Sequence, residues 1–176
     1  DVTYASDNET VASVDENGKV TAKAAGTAVI TATSAAGKTA QYKLTVKTPS
    51  VKLNASAKTL YVKGSPATVT LKATTAGVTG KVTYTSSKPS VVAVAANGKV
   101  TAKAAGTAVI TAKCGNYKAT CKITVKKPSV KASASAKTVF VGGTSQIKVK
   151  KTGVSGKVTY TSSNKSVAVV SAGGKV

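Results

Sequence analysis

Short runs in which hydrophobic and polar residues alternate follow one another along most of this chain. Alternation with a period of two is the pattern of a β-strand that has one buried face and one face in water. The apolar positions that share a face are Val69, Leu71 and Ala73; Val100, Ala102 and Ala104; Ala108, Ile110 and Ala112; and Ala119, Cys121, Ile123 and Val125. No helical period competes with this pattern, so the sequence predicts an all-β fold.

Two Asn-Gly dipeptides separate neighbouring runs and predict hairpin turns. Asn17-Gly18 and Asn97-Gly98 each stand between two alternating runs, and Asn-Gly accommodates the positive φ angles that a tight hairpin turn requires. Gly115-Asn116 has a similar place later in the chain. The turns leave room for about seven or eight short strands per repeat, which is typical of a two-sheet, immunoglobulin-like sandwich.

The strand pattern itself repeats after about 80 residues. The run KVTAKAAGTAVITA of Lys19–Ala32 returns unchanged as Lys99–Ala112, and the run that starts at Val2 as Val-Thr-Tyr returns at Val82 and at Val158. We therefore divide the chain into a first segment (1–48), a middle segment (49–127) and a third segment (128–176). The middle segment is expected to be a complete immunoglobulin-like module. The first segment is expected to hold the C-terminal part of such a module, and the third segment the N-terminal part.

These residues resemble a known family. The run from Val91 to Ala112 contains the Asn-Gly turn followed by KVTAKAAGTAVITA, and it resembles the signature of the bacterial immunoglobulin-like group 2 (BIG2) domain. The resemblance implies a β-sandwich that occurs in tandem in bacterial surface proteins, in adhesins of the intimin and invasin kind, and in some phage virion proteins. It implies no single function, because modules of one fold serve many hosts.

The ionisable residues are mostly lysines. The chain has 26 basic residues, all of them Lys, against 5 acidic ones, which gives a net charge of +21. All the acids lie within residues 1–16, and the chain has no His. Acid–base catalysis and metal binding depend on such groups, so we predict no enzyme and no catalytic, cofactor or metal site. Asp15 opens a run like a calcium loop, but Gly26 stands where the final Glu of that loop belongs.

The two cysteines, Cys114 and Cys121, are a candidate disulfide, and both are predicted to face the core. If Gly115-Asn116 is a two-residue turn, Cys114 pairs with Tyr117 and the thiols are too far apart for a bridge. A longer loop would bring the thiols opposite each other. Export to an oxidising environment favours the bridge, and two small buried thiols are the alternative interpretation.

The many lysines raise the question of a partner. Solvated lysines on strand faces keep a sheet soluble and protect its edges, which accounts for most of them. A net charge of +21 also permits attachment to an anionic cell-wall polymer or glycan. Nucleic acid is disfavoured, because the chain has no Arg for contacts with guanine and no cluster of aromatic residues for stacking. No apolar run reaches the length of about 18 residues that predicts a membrane span.

The linkers between the segments are short and contain proline. Lys47-Thr48-Pro49-Ser50 and Lys126-Lys127-Pro128-Ser129 discourage free flexing, because proline restricts the residue before it. We therefore expect a stalk, spacer or filament segment of a bacterial extracellular or cell-surface protein. A Lys-rich binding module for anionic polymer and a phage virion decoration are the alternatives.

The first and third segments hold complementary parts of one module. We expect the sequence to be a window on a longer chain of such modules. The sharper alternative is that the partial modules of two copies complete each other by strand complementation and build a head-to-tail homopolymer.

Overall fold

The computed structural model describes residues 1–176 and contains sixteen β-strands and no helix. The strands of the first segment are β1 (Val2–Ser6), β2 (Ala12–Val14), β3 (Val20–Ala22), β4 (Gly26–Ser34) and β5 (Thr39–Val46). Those of the middle segment are β6 (Ser50–Leu53), β7 (Ala57–Tyr61), β8 (Thr68–Thr70), β9 (Ala73–Ala76), β10 (Thr83–Ser86), β11 (Val92–Val94), β12 (Lys99–Ala102), β13 (Gly106–Cys114) and β14 (Tyr117–Lys126). The third segment contains β15 (Ser129–Ala134) and β16 (Ile147–Thr152).

The residues group into two compact units, of which the first comprises Asp1–Val51, Thr75–Gly80 and Cys114–Tyr117. Its main sheet is antiparallel, with β4 between β1 and β5, and β2 pairs separately with β3. A small apolar cluster forms its core, with the buried residues Val11, Ala12 and Ala28 packed against Leu44 and Val46.

The second unit comprises Lys52–Thr74, Lys81–Lys113 and Lys118–Val176 and contains the larger core. One sheet has the order β10-β13-β14-β7 and another has the order β11-β12-β8. The alternation predicted for β13 is confirmed, because its Ala108, Ile110 and Ala112 are buried while the residues between them are more exposed. The all-β, immunoglobulin-like sandwich is confirmed as well. Its buried cluster consists of Leu60, Leu71, Val92, Val100, Ala108, Ile110, Cys121, Ile123 and Val125.

One predicted strand is divided in two. The run Val69–Ala73 alternates without interruption, but β8 ends at Thr70 and β9 begins at Ala73, and the two belong to different sheets. The break lies where the backbone N–H of Leu71 donates to the Gly98 carbonyl O at 2.9 Å and the N–H of Lys72 donates to Asn54 Oδ1 at 3.0 Å. The middle segment therefore has nine strands instead of the seven or eight that we predicted.

A second difference concerns the end of β12. The alternation placed Ala104 on a buried face, but β12 ends at Ala102 and Ala104 is exposed. The N–H groups of Lys103 and Ala104 both donate to the Val91 carbonyl O, at 2.9 and 3.2 Å. Two successive donors that share one acceptor turn the chain out of the strand, because a ladder uses only alternate residues for bonds to one neighbour.

The third segment has fewer strands than the middle segment and repeats one of its hydrogen bonds. β15 pairs antiparallel with β16. The N–H of Ile147 donates to the Gly174 carbonyl O at 2.8 Å, as the N–H of Leu71 does to that of Gly98. The strands that follow this point in the middle segment, β13 and β14, have no counterpart within residues 129–176.

Candidate functional site

The hairpin dipeptides lie in the loops that connect two antiparallel strand pairs, β2 with β3 and β11 with β12. The glycines alone have positive φ angles, +78° at Gly18 and +79° at Gly98, whereas Asn17 and Asn97 do not. The positive φ of each loop is therefore at the glycine. Asn97 contributes through its side chain, since Oδ1 accepts the N–H of Lys99 at 3.1 Å.

A tyrosine ring covers the glycine of each of these loops. A Cβ added at Gly98 would lie 3.1 Å from Cζ and 3.2 Å from the hydroxyl oxygen of Tyr84. It would also collide with the Leu71 carbonyl O, so the ring and the backbone leave no space for a side chain. The Tyr84 hydroxyl oxygen accepts the N–H of Ala73 at 3.1 Å. Tyr84 therefore ties this hairpin to the start of β9.

The same contact occurs in all three segments. A Cβ at Gly18 would lie 2.9 Å from Tyr4 Cζ, and one at Gly174 would lie 2.8 Å from Tyr160 Cζ. The sequence analysis recognised the repeated Val-Thr-Tyr run but not the glycine that each tyrosine contacts. The signal was available, because each tyrosine precedes its glycine by the same number of residues in every repeat.

Cys114 and Cys121 are both buried and both are free thiols in this structure. β13 ends at Cys114 and β14 begins at Tyr117, so the turn between them has two residues, which is the case that separates the thiols. Cys114 Sγ lies 3.4 Å from the Gly80 carbonyl O. Burial raises the pKa of the Cys121 thiol above its ordinary value, and the positive charge of Lys58 partly opposes this. A thiol with a raised pKa is a weak nucleophile, and this favours a packing role for Cys121.

The third segment presents an open apolar face. A cavity of about 540 Å³ is lined by side chains that include Val130, Ala132, Ile147, Val149, Tyr160 and Val176. Four of these six residues have better covered counterparts in the middle segment, and the clearest case is Val130, which is 57% exposed where Val51 is 7% exposed. In the middle segment, β13 and β14 contribute Ile110 and Ile123 to the core that contains Leu71, the counterpart of Ile147. These side chains form the open face of the third segment.

The lysines are spread over the strand faces, with one local concentration on the outer face of the third segment. Lys131 of β15 lies opposite Lys150 of β16, and Lys148 lies opposite Ser133. Because residues two apart on a strand share a face, Lys131, Lys148 and Lys150 form a row of three positive charges. Like charges directly across a strand pair repel each other, so an anion bound along this row would relieve that repulsion.

No helix is long and apolar enough to cross a membrane. Residues 1–46 match the model of a bacterial Ig-like domain (group 2) family, and residues 80–127 match the model of a bacterial Ig-like domain family. No curated protein matches the sequence significantly.

Several solved structures are similar to this chain. The S-layer protein rSbsC(31-844) is 23% identical over 91% of this chain and 24% of its own, with a TM-score of 0.40. Domains 4 and 5 of the S-layer protein SbsC are 29% identical over 71% of this chain and 70% of their own, with a TM-score of 0.36. A C-terminal 282-residue fragment of intimin, in complex with the intimin-binding domain of the translocated intimin receptor, is 22% identical over 74% of this chain and 53% of its own, with a TM-score of 0.39. The chain thus spans about a quarter of the first of these structures.

Proposed function

We propose, from the premise that this chain belongs to the bacterial Ig-like domain families, that it is a non-catalytic spacer in an extracellular or cell-surface protein. Its task is to hold another part of that protein at a distance while it carries tension. The observation that carries this proposal is the pairing of β7 with β14, because it determines how the middle segment responds to a pull on its two ends.

β7 lies near the start of the middle segment and β14 at its end, and the two strands pair in parallel. Five residue pairs connect them, from Ala57 with Lys122 to Tyr61 with Lys126. When the two ends of the segment are pulled apart, parallel terminal strands slide past each other. All the hydrogen bonds between them are then loaded together, whereas an antiparallel hairpin pulled from its open end breaks one bond at a time.

The core next to this strand pair supports the same interpretation. Leu60 of β7 lies opposite Val125 of β14, and the two are 1% and 3% exposed. Water therefore has little access to the ladder from the core side. With β14 at ten residues and a rise of about 3.3 Å per residue, one such segment adds on the order of 33 Å of length.

Single-molecule pulling of the whole chain by its two ends tests this proposal. The middle segment should unfold in one step and release on the order of 250 Å of chain, from about 3.3–3.6 Å per extended residue less the folded length. Smooth extension of the chain without such a step would contradict a role under tension.

A second candidate function, head-to-tail assembly of copies, is favoured by the open face of the third segment. In this arrangement the β4–β5 hairpin of one copy covers the open face of another copy, as β13 and β14 cover the core of the middle segment. Residues 26–32 of β4 belong to the run that is identical to Lys99–Ala112, and Tyr42 of β5 is 66% exposed. In this part of β4, sequence identity gives the hairpin the side chains Ala28, Ile30 and Ala32 that β13 places in the equivalent core as Ala108, Ile110 and Ala112.

Light scattering across a wide range of protein concentrations tests the assembly. Growth that Val149→Asp abolishes would support it, because Val149 lines the open face. The control is Lys150→Asp, which changes the adjacent residue on the opposite face of β16. A monomer at every concentration would exclude strand complementation between copies.

A further inference from the structure

A short loop follows β7, and its own hydrogen bonds hold its shape. In this Tyr61 loop (Tyr61–Pro66), the N–H of Tyr61 donates to the Pro66 carbonyl O at 2.8 Å, and the N–H of Gly64 donates to the Tyr61 carbonyl O at 3.2 Å. Lys63 has a φ of +50° and is the one residue other than glycine with a positive φ in the chain. The N–H of Val62 donates to the Lys126 carbonyl O at 3.0 Å, which fixes the loop to the end of β14. The loop is therefore shaped before it meets a partner.

The Tyr61 loop contacts a turn of the third segment. In this Gly153 turn (Thr152–Ser155), the Gly153 carbonyl O accepts the N–H of Ser65 at 2.9 Å. A Cβ added at Gly153 would lie 2.6 Å from Tyr61 Cε1 and still closer to two other ring atoms, so the ring lies directly over the glycine. A single exchange of glycine for a larger residue would push the ring away.

The opposite side of the contact is equally tight. A Cβ added at Gly64 would lie 3.0 Å from Pro128 Cγ and would collide with the Gly153 carbonyl O. Pro128 belongs to the linker between the two segments, so the linker is part of the same contact. The space left at its centre has a volume of about 280 Å³ and is lined by Lys63, Gly64, Pro128, Gly153, Val154 and Ser155.

Both partners of this contact recur in the repeat. Gly77 stands at the position of Gly153 in the middle segment, with a φ of +61° against +66°. Phe140 and Gly143 stand at the positions of Tyr61 and Gly64 in the third segment, where Phe140 is 92% exposed. Both repeats thus have an aromatic residue followed by a glycine three residues later, and the ring in the third segment is exposed. This is expected for an interaction surface that each repeat carries.

We propose that the Tyr61 loop is a docking site for the glycine turn of the next module, and that it makes the linker at Pro128 a fixed joint. The partner that such a surface fits is a second module of the same repeat, recognised by a glycine that admits the aromatic ring and by a carbonyl group that accepts the Ser65 N–H. The inference rests on the spacer function proposed above. It adds that successive modules transmit force through a side-chain and backbone contact as well as through the covalent chain.

Amide hydrogen exchange of the full chain, measured by NMR, tests the joint. Gly153→Ala places a methyl group into the Tyr61 ring, so exchange of the Ser65 amide should accelerate by about tenfold or more as the contact opens. The matched control is Gly77→Ala, which has nearly the same backbone angle at the equivalent position, but whose Cβ would meet only Pro49 atoms at an ordinary 3.6 Å. This control should leave the exchange of Ser65 unchanged.

Two further readings separate the joint from simple unfolding. The amide of Ile147 reports whether the third segment is folded, and the amide of Leu71 reports the same for the middle segment, since both donate to buried loop carbonyls. Tyr61→Ala approaches the contact from the other module and should accelerate Ser65 exchange with both reporter amides still protected. Unchanged exchange of Ser65 in both variants would overturn the joint. The step in the pulling experiment belongs to the middle segment alone, so it would persist if only the joint were wrong.

Discussion

The parallel pair β7–β14 predicts a large difference between proline substitutions at two adjacent, exposed positions. The N–H of Lys122 donates to the Ser56 carbonyl O at 2.8 Å, and the N–H of Val62 donates to the Lys126 carbonyl O at 3.0 Å. Because donors toward one neighbour recur at every second residue of a strand, the N–H of Lys58 points toward β14 and the N–H of Thr59 points away from it. Lys58→Pro therefore removes a bond of the ladder, whereas Thr59→Pro removes none.

The cost follows from the unpaired acceptor that Lys58→Pro leaves on β14. Lys122, whose carbonyl O would lose this bond, is an exposed residue, so the loss is the net contribution of one hydrogen bond, about 0.5 to 1.5 kcal/mol. For a segment of this size, each kcal/mol lowers the Tm by about 4 to 8 °C. Thr59→Pro shares the constraint of the proline ring but keeps every bond, and β7 is an edge strand, where proline is tolerated.

Thermal unfolding followed by far-UV circular dichroism measures the two Tm values, and pulling measures the two rupture forces. We expect both quantities to be lower for Lys58→Pro than for Thr59→Pro. Equal effects of the two substitutions would refute the reasoning, since they would show that the β7–β14 hydrogen bonds do not limit the stability of the middle segment.

Three other substitutions or conditions give clear expectations. Gly98→Ala should lower the Tm by far more than Gly115→Ala. A Cβ at Gly98 would collide with Tyr84 and with backbone, whereas one at Gly115 would lie an ordinary 3.7 Å from Val78. Similar Tm values for the two variants would argue against the tyrosine–glycine contact. Since burial raises the pKa of Cys121, the free energy of unfolding should decline as the pH rises past the ordinary thiol value of 9.0, and urea titrations should show a smaller decline for Cys121→Ala. Added salt should raise the Tm by screening the net charge of +21. Lys150→Glu should weaken the salt dependence of the Tm and of the binding to an anionic wall polymer. Binding to that polymer that is unchanged at high salt would exclude the electrostatic explanation.

The alternation of apolar and polar residues was enough to predict a strand when its backbone keeps the same neighbouring strands along its whole length. In β13 the alternation of Ala108, Ile110 and Ala112 with more exposed neighbours coincides with a continuous ladder, so sequence and structure agree. At Leu71 the burial of the side chain and the pairing of the backbone no longer agree. Its side chain stays in the core, which preserves the apolar alternation, while the backbone leaves one sheet for another through bonds to Gly98 and Asn54. The apolar alternation in the sequence therefore cannot predict that the backbone changes its hydrogen-bonding partner at this point.

The contacts that sequence reasoning missed are those between residues of ordinary composition at a distance. Tyr84 and Gly98 recur together in every repeat, and only that shared spacing distinguishes them from other tyrosines and glycines. The state of the thiols depended on the length of one turn, which the strand bounds around Gly115-Asn116 define. The contact between Tyr61 and Gly153 has no local pattern, because its two partners lie in different repeats.

The position shared by Tyr61 and Phe140 shows what a repeat of this kind has to encode. Within a segment, contacts such as that of Tyr84 with Gly98 are complete in each copy, so every repeat can carry the same pair. A contact between segments needs each repeat to carry two half-sites, an aromatic loop for the next module and a glycine turn for the previous one. The middle segment has both, Tyr61 and Gly77, and the third segment has both, Phe140 and Gly153. Because a half-site gains its contact only when a neighbour is present, Phe140→Ser should leave the Tm of this chain nearly unchanged, whereas Tyr61→Ser should lower it; a large loss of stability from Phe140→Ser would show that the exposed ring already has a partner.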